Sequence, residues 1–252
     1  MKKFIIALIG MTFLLPYAFA DVSIQNDQQY IGDDGAFHVV GEIQNELDVP
    51  LNQVRVFVTL YDKGQNIITT KETHSLVNTI MPDMKGPFDV IFTNVKPSEI
   101  NSYSLDFDYS ITEPKGQVIG ISSSELTKDN LNNIIISGVV ENNGENTANT
   151  VAVVVTLYDK QGNVASVSRV HPEPDYLRTE HDTFFVVSMP DKNQISEVTD
   201  YTVVAESEEY AAAPEFPIGS LVLLAGSVSA YIGITRYSGK FIANLISATN
   251  PK

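Results

Sequence analysis

A Val or Leu recurs at every second position along two stretches of this chain. Val54, Val56, Val58 and Leu60 are interleaved with Arg55, Phe57, Thr59 and Tyr61, and Val151, Val153, Val155 and Leu157 with Ala152, Val154, Thr156 and Tyr158. A period of two sends one set of side chains to a core and the other away from it, which predicts β-strands. The same period runs through Ser102–Ile111, where Tyr103, Leu105, Phe107, Tyr109 and Ile111 share a face. Further strands are predicted at Phe37–Asn45, Ile67–His74 and Pro87–Asn94, and again at Ile134–Asn142, Val164–Val170 and Thr183–Met189. Between strands, Asp62-Lys63-Gly64-Gln65-Asn66 and Asp159-Lys160-Gln161-Gly162-Asn163 each carry a glycine for the positive φ of a tight hairpin. Short strands with regular turns and little helical periodicity predict an all-β, antiparallel sandwich fold.

The pattern occurs twice. Val-Thr-Leu-Tyr-Asp-Lys stands at Val58–Lys63 and at Val155–Lys160, an offset of 97 that also carries Gly41 onto Gly138, Asn45 onto Asn142, Val56 onto Val153 and Phe88 onto Phe185. A period of this length suits two tandem domains rather than a solenoid. The expected organisation is one sandwich over 21–113 and a second over 114–205, with the break near Glu113-Pro114-Lys115-Gly116. An acidic, Ala-rich stalk is expected over 206–215.

Both ends carry apolar runs. Lys2 and Lys3 precede the run from Phe4 to Leu15, and Ala18-Phe19-Ala20 places small residues before Asp21. This is the plan of a signal peptide over 1–20, cut between Ala20 and Asp21, and the run is shorter than the ~20 residues of a spanning helix. Phe216–Thr235 is 20 residues without a charge, long enough to cross a membrane, with Gly219, Gly226 and Gly233 spaced by seven. Arg236, Lys240 and Lys252 follow in a tail of 17 residues that holds no acid. Positive flanks stay in the cytoplasm, so the body is expected outside the cell membrane and the tail 236–252 inside.

Charge agrees with that placement. The chain of 252 residues carries −15, and Asp21–Glu215, holding all 31 acids and 11 of the 16 bases, carries −20. Such a surface repels anionic partners and argues against nucleic acid as a partner. The chain has no cysteine, which excludes disulfide scaffolds, thiol catalysis and cysteine-held metals.

Leu60-Tyr61-Asp62 and Leu157-Tyr158-Asp159, each preceded by Gly-x-x-x-Asn and followed by Phe88 or Phe185, resemble the signature of the FxLYD domain. Val58 and Val155 stand where that name has Phe. The resemblance spans about Asp21–Ser207 and implies two tandem immunoglobulin-like sandwiches of a surface or envelope protein, with no catalytic residues to carry over. Pro214-Glu215-Phe216, against the apolar span and then Arg236, resembles the PEF-type C-terminal sorting signals of archaeal surface proteins. That resemblance implies an archaeosortase-like processing enzyme as a partner, cleavage near the motif and transfer to a lipid anchor. The sparse bases and the length of the tail depart from that pattern and leave a permanent transmembrane helix as the alternative.

Chemistry is thinly represented. His171, Glu173, His181 and Asp182 fall in one loop region without a fixed ligand spacing. Asp33, Asp34, Asp106 and Asp108 offer hard oxygens to calcium, but no EF-hand loop frames them. No cofactor and no catalytic residue is predicted, and neither a nucleophile elbow nor a phosphate loop occurs. The expected function is a membrane-anchored, non-catalytic cell-surface protein with a structural, adhesive or protein-interaction role among other surface or envelope proteins. The rival reading is a ligand-binding accessory subunit of an envelope transporter or sensor, which needs a concave, partly apolar pocket between the domains. A hydrolase would need two carboxylates facing across a cleft.

Overall fold

A computed structural model describes residues 21–131, 133–189 and 198–214. The signal segment with Ala18 and Ala20, the residues Glu215 and Phe216, the apolar span 216–235, and the tail with Arg236 and Lys240 lie outside the described residues. Within them no helix is long and apolar enough to cross a membrane. The described residues are all-β and their sheets are antiparallel throughout.

The first seven strands are β1 (Val22–Ile31), β2 (Phe37–Asn45), β3 (Leu51–Tyr61), β4 (Ile67–His74), β5 (Thr79–Ile80), β6 (Lys85–Phe92) and β7 (Ser102–Ile111). They form sheet A, in the order β1-β2-β6, and sheet B, in which β7 flanks one side of β3 while β4 and β5 flank the other. The next six are β8 (Ile119–Lys128), β9 (Ile134–Asn142), β10 (Ala152–Asp159), β11 (Val164–Val170), β12 (Asp182–Met189) and β13 (Val198–Glu206). They form sheet C, in the order β8-β9-β12, and sheet D, in the order β11-β10-β13.

The pairing register repeats with the sequence offset. Phe37 lies opposite Phe92 in sheet A, and Ile134 opposite Met189 in sheet C, each residue 97 further on. Leu51 faces Ile80, and the bridge Ala148–Leu177 holds the same place in the second unit. Even the irregularities recur, with positive φ at Gln53 and Thr150 and at Asp83 and Glu180. Period-two alternation sorts the core as expected. Phe37, Val39, Ile43, Phe88, Val90 and Phe92 from sheet A meet Val54, Val56, Val58 and Leu60 from sheet B. Ile134, Ile136, Val140, Phe185 and Val187 from sheet C meet Val153, Val155, Leu157, Val203 and Ala205 from sheet D.

The residues shared by the two copies have structural tasks. Gly41 lies opposite Phe88 and Gly138 opposite Phe185, and a Cβ on either glycine would sit 2.7 or 2.8 Å from the ring. The missing side chain makes room for the aromatic ring that fills the core beside it. Asn45 and Asn142 are fully buried. Asn45 Nδ2 donates to the carbonyls of Val49 and Ile80, and Asn142 Nδ2 to those of Asn146 and Leu177. Their Oδ1 atoms accept the amides of Leu47 and Gly144. A buried amide satisfied on both ends ties three backbone segments together at the same corner of each unit.

Two details differ from the sequence reading. The alternating face of β7 reaches the core only as far as Phe107, while Tyr109 and Ile111 are exposed. A register shift between Asn52 and Arg55, next to the left-handed Gln53, turns the end of the strand away. In the first hairpin the positive φ falls on Gln65, not on Gly64, whereas Gly162 takes it in the second. The Asp62 and Asp159 carboxylates hold these loops, accepting the amides of Gly64 and Asn66 or of Gln161 and Asn163.

Candidate functional site

The four sheets stack in the order B, A, D, C. On β2, His38, Val40 and Glu42 point away from the first core, in phase opposite to Phe37, Val39 and Ile43, and yet they are buried. The cover is sheet D, whose β10 is buried on both faces from Ala152 to Leu157. Val164 packs with Tyr30 and Val40, with Tyr158 and Val167 alongside, and Val154 and Val204 join the first unit's core cluster.

Polar groups lock this joint at both ends. Glu42 is buried and accepts hydrogen bonds from the Tyr158 hydroxyl, from Asn26 Nδ2 at 3.1 Å and from Lys85 Nζ at 2.8 Å. The Lys85 ammonium also lies over the Tyr158 ring, 5.8 Å from its centroid. At the other end Glu206 accepts the Asn78 amide at 2.9 Å and Arg169 Nη1 at 2.8 Å, and Arg169 donates again to the Leu76 carbonyl. Burial pushes the Glu206 carboxyl above the usual carboxylate range, against the opposing pull of the Asn78 amide and Arg169. Gln28 Nε2 donates to the Val164 carbonyl at 2.6 Å. His38 Nδ1 meets Asp89 Oδ2 at 2.9 Å, and its ring stacks on Tyr30 with 4.6 Å between centroids. Among the described residues no buried side-chain polar atom lacks a partner.

The segment between the units is also paired. Gly116 accepts the Ala211 amide at 3.0 Å, Gln117 Nε2 donates to the Ala212 carbonyl at 2.7 Å, and Ile119 bridges Ala212 in parallel. Tyr210, Ala211 and Ala212 are buried. The part of the expected stalk up to Ala212 is therefore packed. Ala211 and Ala212 lie in the first core cluster and Tyr210 in the second, while the backbone pairs with 116–119, a role that acidic, Ala-rich composition does not signal.

The structure separates the other residues singled out from sequence. Leu60 and Leu157 are core residues. Tyr61 is half-buried on the outer face of sheet B with its hydroxyl 3.2 Å from Ser104 Oγ, while its counterpart Tyr158 grips Glu42. Asp62 and Asp159 are hairpin caps, and hydrogen bonds from Asn66 hold the Asp62 carboxyl below its ordinary range. Asp21 accepts the Val22 amide, and Pro214 is exposed. Asp108 pairs with Arg55, and His171 Nδ1 lies 2.8 Å from the Val151 carbonyl. Among the described residues no three His, Asp or Glu side chains converge as metal ligands would.

Two adjoining grooves open on the first unit, of about 360 and 300 Å³, and share Gln53 and His74. Arg55 and Asp108 line the first, and Asn78 and Lys115 the second. Both are open, and the first is the more polar. Between the units, described side chains of sheets A and D pack against one another.

The joint itself was not foreseen, although one signal was present. Residues 151–155 are apolar on both faces, whereas the copy at 54–58 carries Arg55 on its outer face. A strand apolar on both sides is one covered on both sides.

No family model and no curated protein matches the chain. Solved structures give weak likenesses. An exo-chitosanase of Amycolatopsis orientalis matches 76% of this chain with 26% of its own length, at 10% identity and a TM-score of 0.29. A red sea bream transglutaminase matches 76% with 29% of its length, at 9% identity and 0.24. A β-glucuronidase of Bacteroides uniformis matches 75% with 27% of its length, at 9% identity and 0.22. The chain thus spans about a quarter of these larger proteins, and likeness at this level carries no argument about function.

Proposed function

We propose that the chain is a membrane-anchored cell-surface protein whose two immunoglobulin-like, FxLYD-type sandwiches do structural or adhesive work rather than catalysis. The observation that carries this reading is the joint: two copies of one β-unit are clamped sheet to sheet through Glu42, Tyr158, Arg169 and Glu206. A clamped pair is a stiff spacer that offers sheet faces and loop ends to partners. The signal-like leader and the apolar span before Arg236 supply the address. Pro214-Glu215-Phe216 supplies a candidate processing site for an archaeosortase-like enzyme.

The absence of cysteine makes the test clean. Lys63 is exposed in the first hairpin. A Lys63→Cys chain on intact cells is expected to react with a membrane-impermeant maleimide as fully as after lysis. Where the tail is retained, a Cys placed in it at Ser247 is expected to react only after lysis. Labelling of Lys63→Cys only in lysed cells refutes the surface placement.

A further inference from the structure

The joint is head-to-tail. It uses the outer face of an A-type sheet from one unit and the outer face of a D-type sheet from the other. Because the units are copies, each retains one such face unused. Sheet C is the counterpart of sheet A, and sheet B the counterpart of sheet D.

Both unused faces carry exposed apolar residues, although Ser137 and Thr127 stand on sheet C where Val40 and Tyr30 stand on sheet A. On sheet B, Ile67 is 66% exposed, while its counterpart Val164 is 0% exposed against Val40 and Tyr30. Phe57 stands where Val154 enters the joint, and Tyr61 where Tyr158 does. On sheet C, Phe184 is 58% and Val186 50% exposed, and Ile135 and Val139 are half-buried beside them. Their counterparts on sheet A are Pro87, Asp89, His38 and Glu42, so at these four positions the open face is the more apolar. A solvated strand face favours the reverse.

Part of the corner that grips the first unit recurs, although Glu72 stands at the place of Arg169. Arg169 and Glu206 of sheet D hold Leu76 and Asn78. Asp108 occupies the place of Glu206, since Leu60 lies opposite Tyr103 and Leu157 opposite Tyr201. Asp108 is paired with an arginine from the central strand, Arg55, through Nε at 2.9 Å, where the second unit has Ala152. The loop this corner would meet is the counterpart of Leu76–Asn78, at Glu173–Asp175.

We propose that sheet C of one chain docks on sheet B of a second copy, repeating between chains the contact that joins the units within one. Such a contact is heterologous and does not close on itself, so it builds rows rather than a two-fold dimer. It is weaker than the joint, because Thr70 and Asp106 replace the Val167 and Val204 that face the first unit. Copies held at high local concentration on a surface would associate while dilute ones remain single.

Val164 touches Val40 in the joint, and the corresponding pair between chains is Ile67 and Ser137. Full-length chains carrying Ile67→Cys and Ser137→Cys separately, with different tags, are co-expressed and treated in their own membranes with a short bis-maleimide. A mixed product near twice the mass of the mature chain is expected. It should be absent when Ile67→Cys is paired with Glu145→Cys, which is exposed off the face. Adding Phe184→Glu should reduce it roughly tenfold, the loss of one interface anchor. Phe184 is exposed, and an unchanged melting temperature checks that the fold survives. A product from Ser137→Cys alone would mean sheet C against sheet C and overturns the proposal, as does a mixed product no stronger than the Glu145→Cys control. Surface labelling at Lys63→Cys is independent of this outcome, so the two readings fail separately.

Discussion

Replacing Arg169 by Met tests the joint at its most exposed weakness. The Arg169 side chain is 22% exposed and that of Glu206 2%. Arg169→Met leaves a buried carboxylate with the Asn78 amide but without its cation. Breaking a buried pair on one side costs about 3–5 kcal/mol. Partial exposure of the arginine brings the expected loss to about 2–4 kcal/mol. For a body of this size that is a fall of roughly 5–12 °C in melting temperature. The double variant Arg169→Met with Glu206→Gln removes the stranded charge, and more than half of the loss should return. The pH dependence has a definite sign. Burial raises the Glu206 carboxyl in the folded state, so in the window above the unfolded value of about 4.3 the folded protein holds more protons. Stability therefore falls as pH rises through that window, and losing Arg169 widens it. Thermal melts by circular dichroism at pH 5 and pH 7.5 should show the Arg169→Met deficit shrinking at the lower pH. Equal deficits in the single and double variants, or a deficit that grows at pH 5, would show that the Arg169–Glu206 contact does not hold the joint.

Other consequences concern the repeated motifs. Gly138→Ala should destabilise more than Gly41→Ala: its Cβ would meet the Ser123 carbonyl at 2.2 Å as well as the Phe185 ring, whereas the closest atom to a Cβ at Gly41 is on the Phe88 ring. Melting temperatures of the two variants decide it. Asn142→Ala strands the Gly144 amide and the Leu177 and Asn146 carbonyls. A loss of about 2–4 kcal/mol in urea titration is expected, and Asn45→Ala should match it. Exchanging Gly64 and Gln65, to give the Gln-Gly order of the second hairpin, moves the glycine to the left-handed position now held by Gln65. It should stabilise by about 1 kcal/mol, and a lower melting temperature contradicts the account of that turn.

Most of the strand plan was legible because half-buried antiparallel strands carry a period of two. The bounds of β2, β4, β7, β9 and β11 coincide with the alternating runs. β1 and β8 escaped because their alternation is broken where the ladder shifts register, between Gln25 and Gln28 and between Ile121 and Ser123. The duplication was legible from Gly41, Asn45 and Phe88 and their copies, and the structure supplies the reasons: room for a ring, a buried amide and the ring itself. The joint was harder to read. It pairs Glu42 with Tyr158 and Glu206 with Asn78, contacts separated by 116 and 128 residues, and local pattern carries no record of such partners. Comparing the copies exposes it, because the face that is Arg55, Phe57 and Thr59 in one becomes Ala152, Val154 and Thr156 in the other.

The most direct test of the central claim, an exported and membrane-held chain, is the intact mass of the protein taken from its native membrane. The account predicts a mature chain that begins at Asp21 and is recovered with the membrane. It ends either at Lys252, with the apolar span retained, or near Pro214–Pro217 with an added lipid increment. An unprocessed mass for Met1–Lys252, about 27.7 kDa and recovered in the soluble fraction, contradicts it.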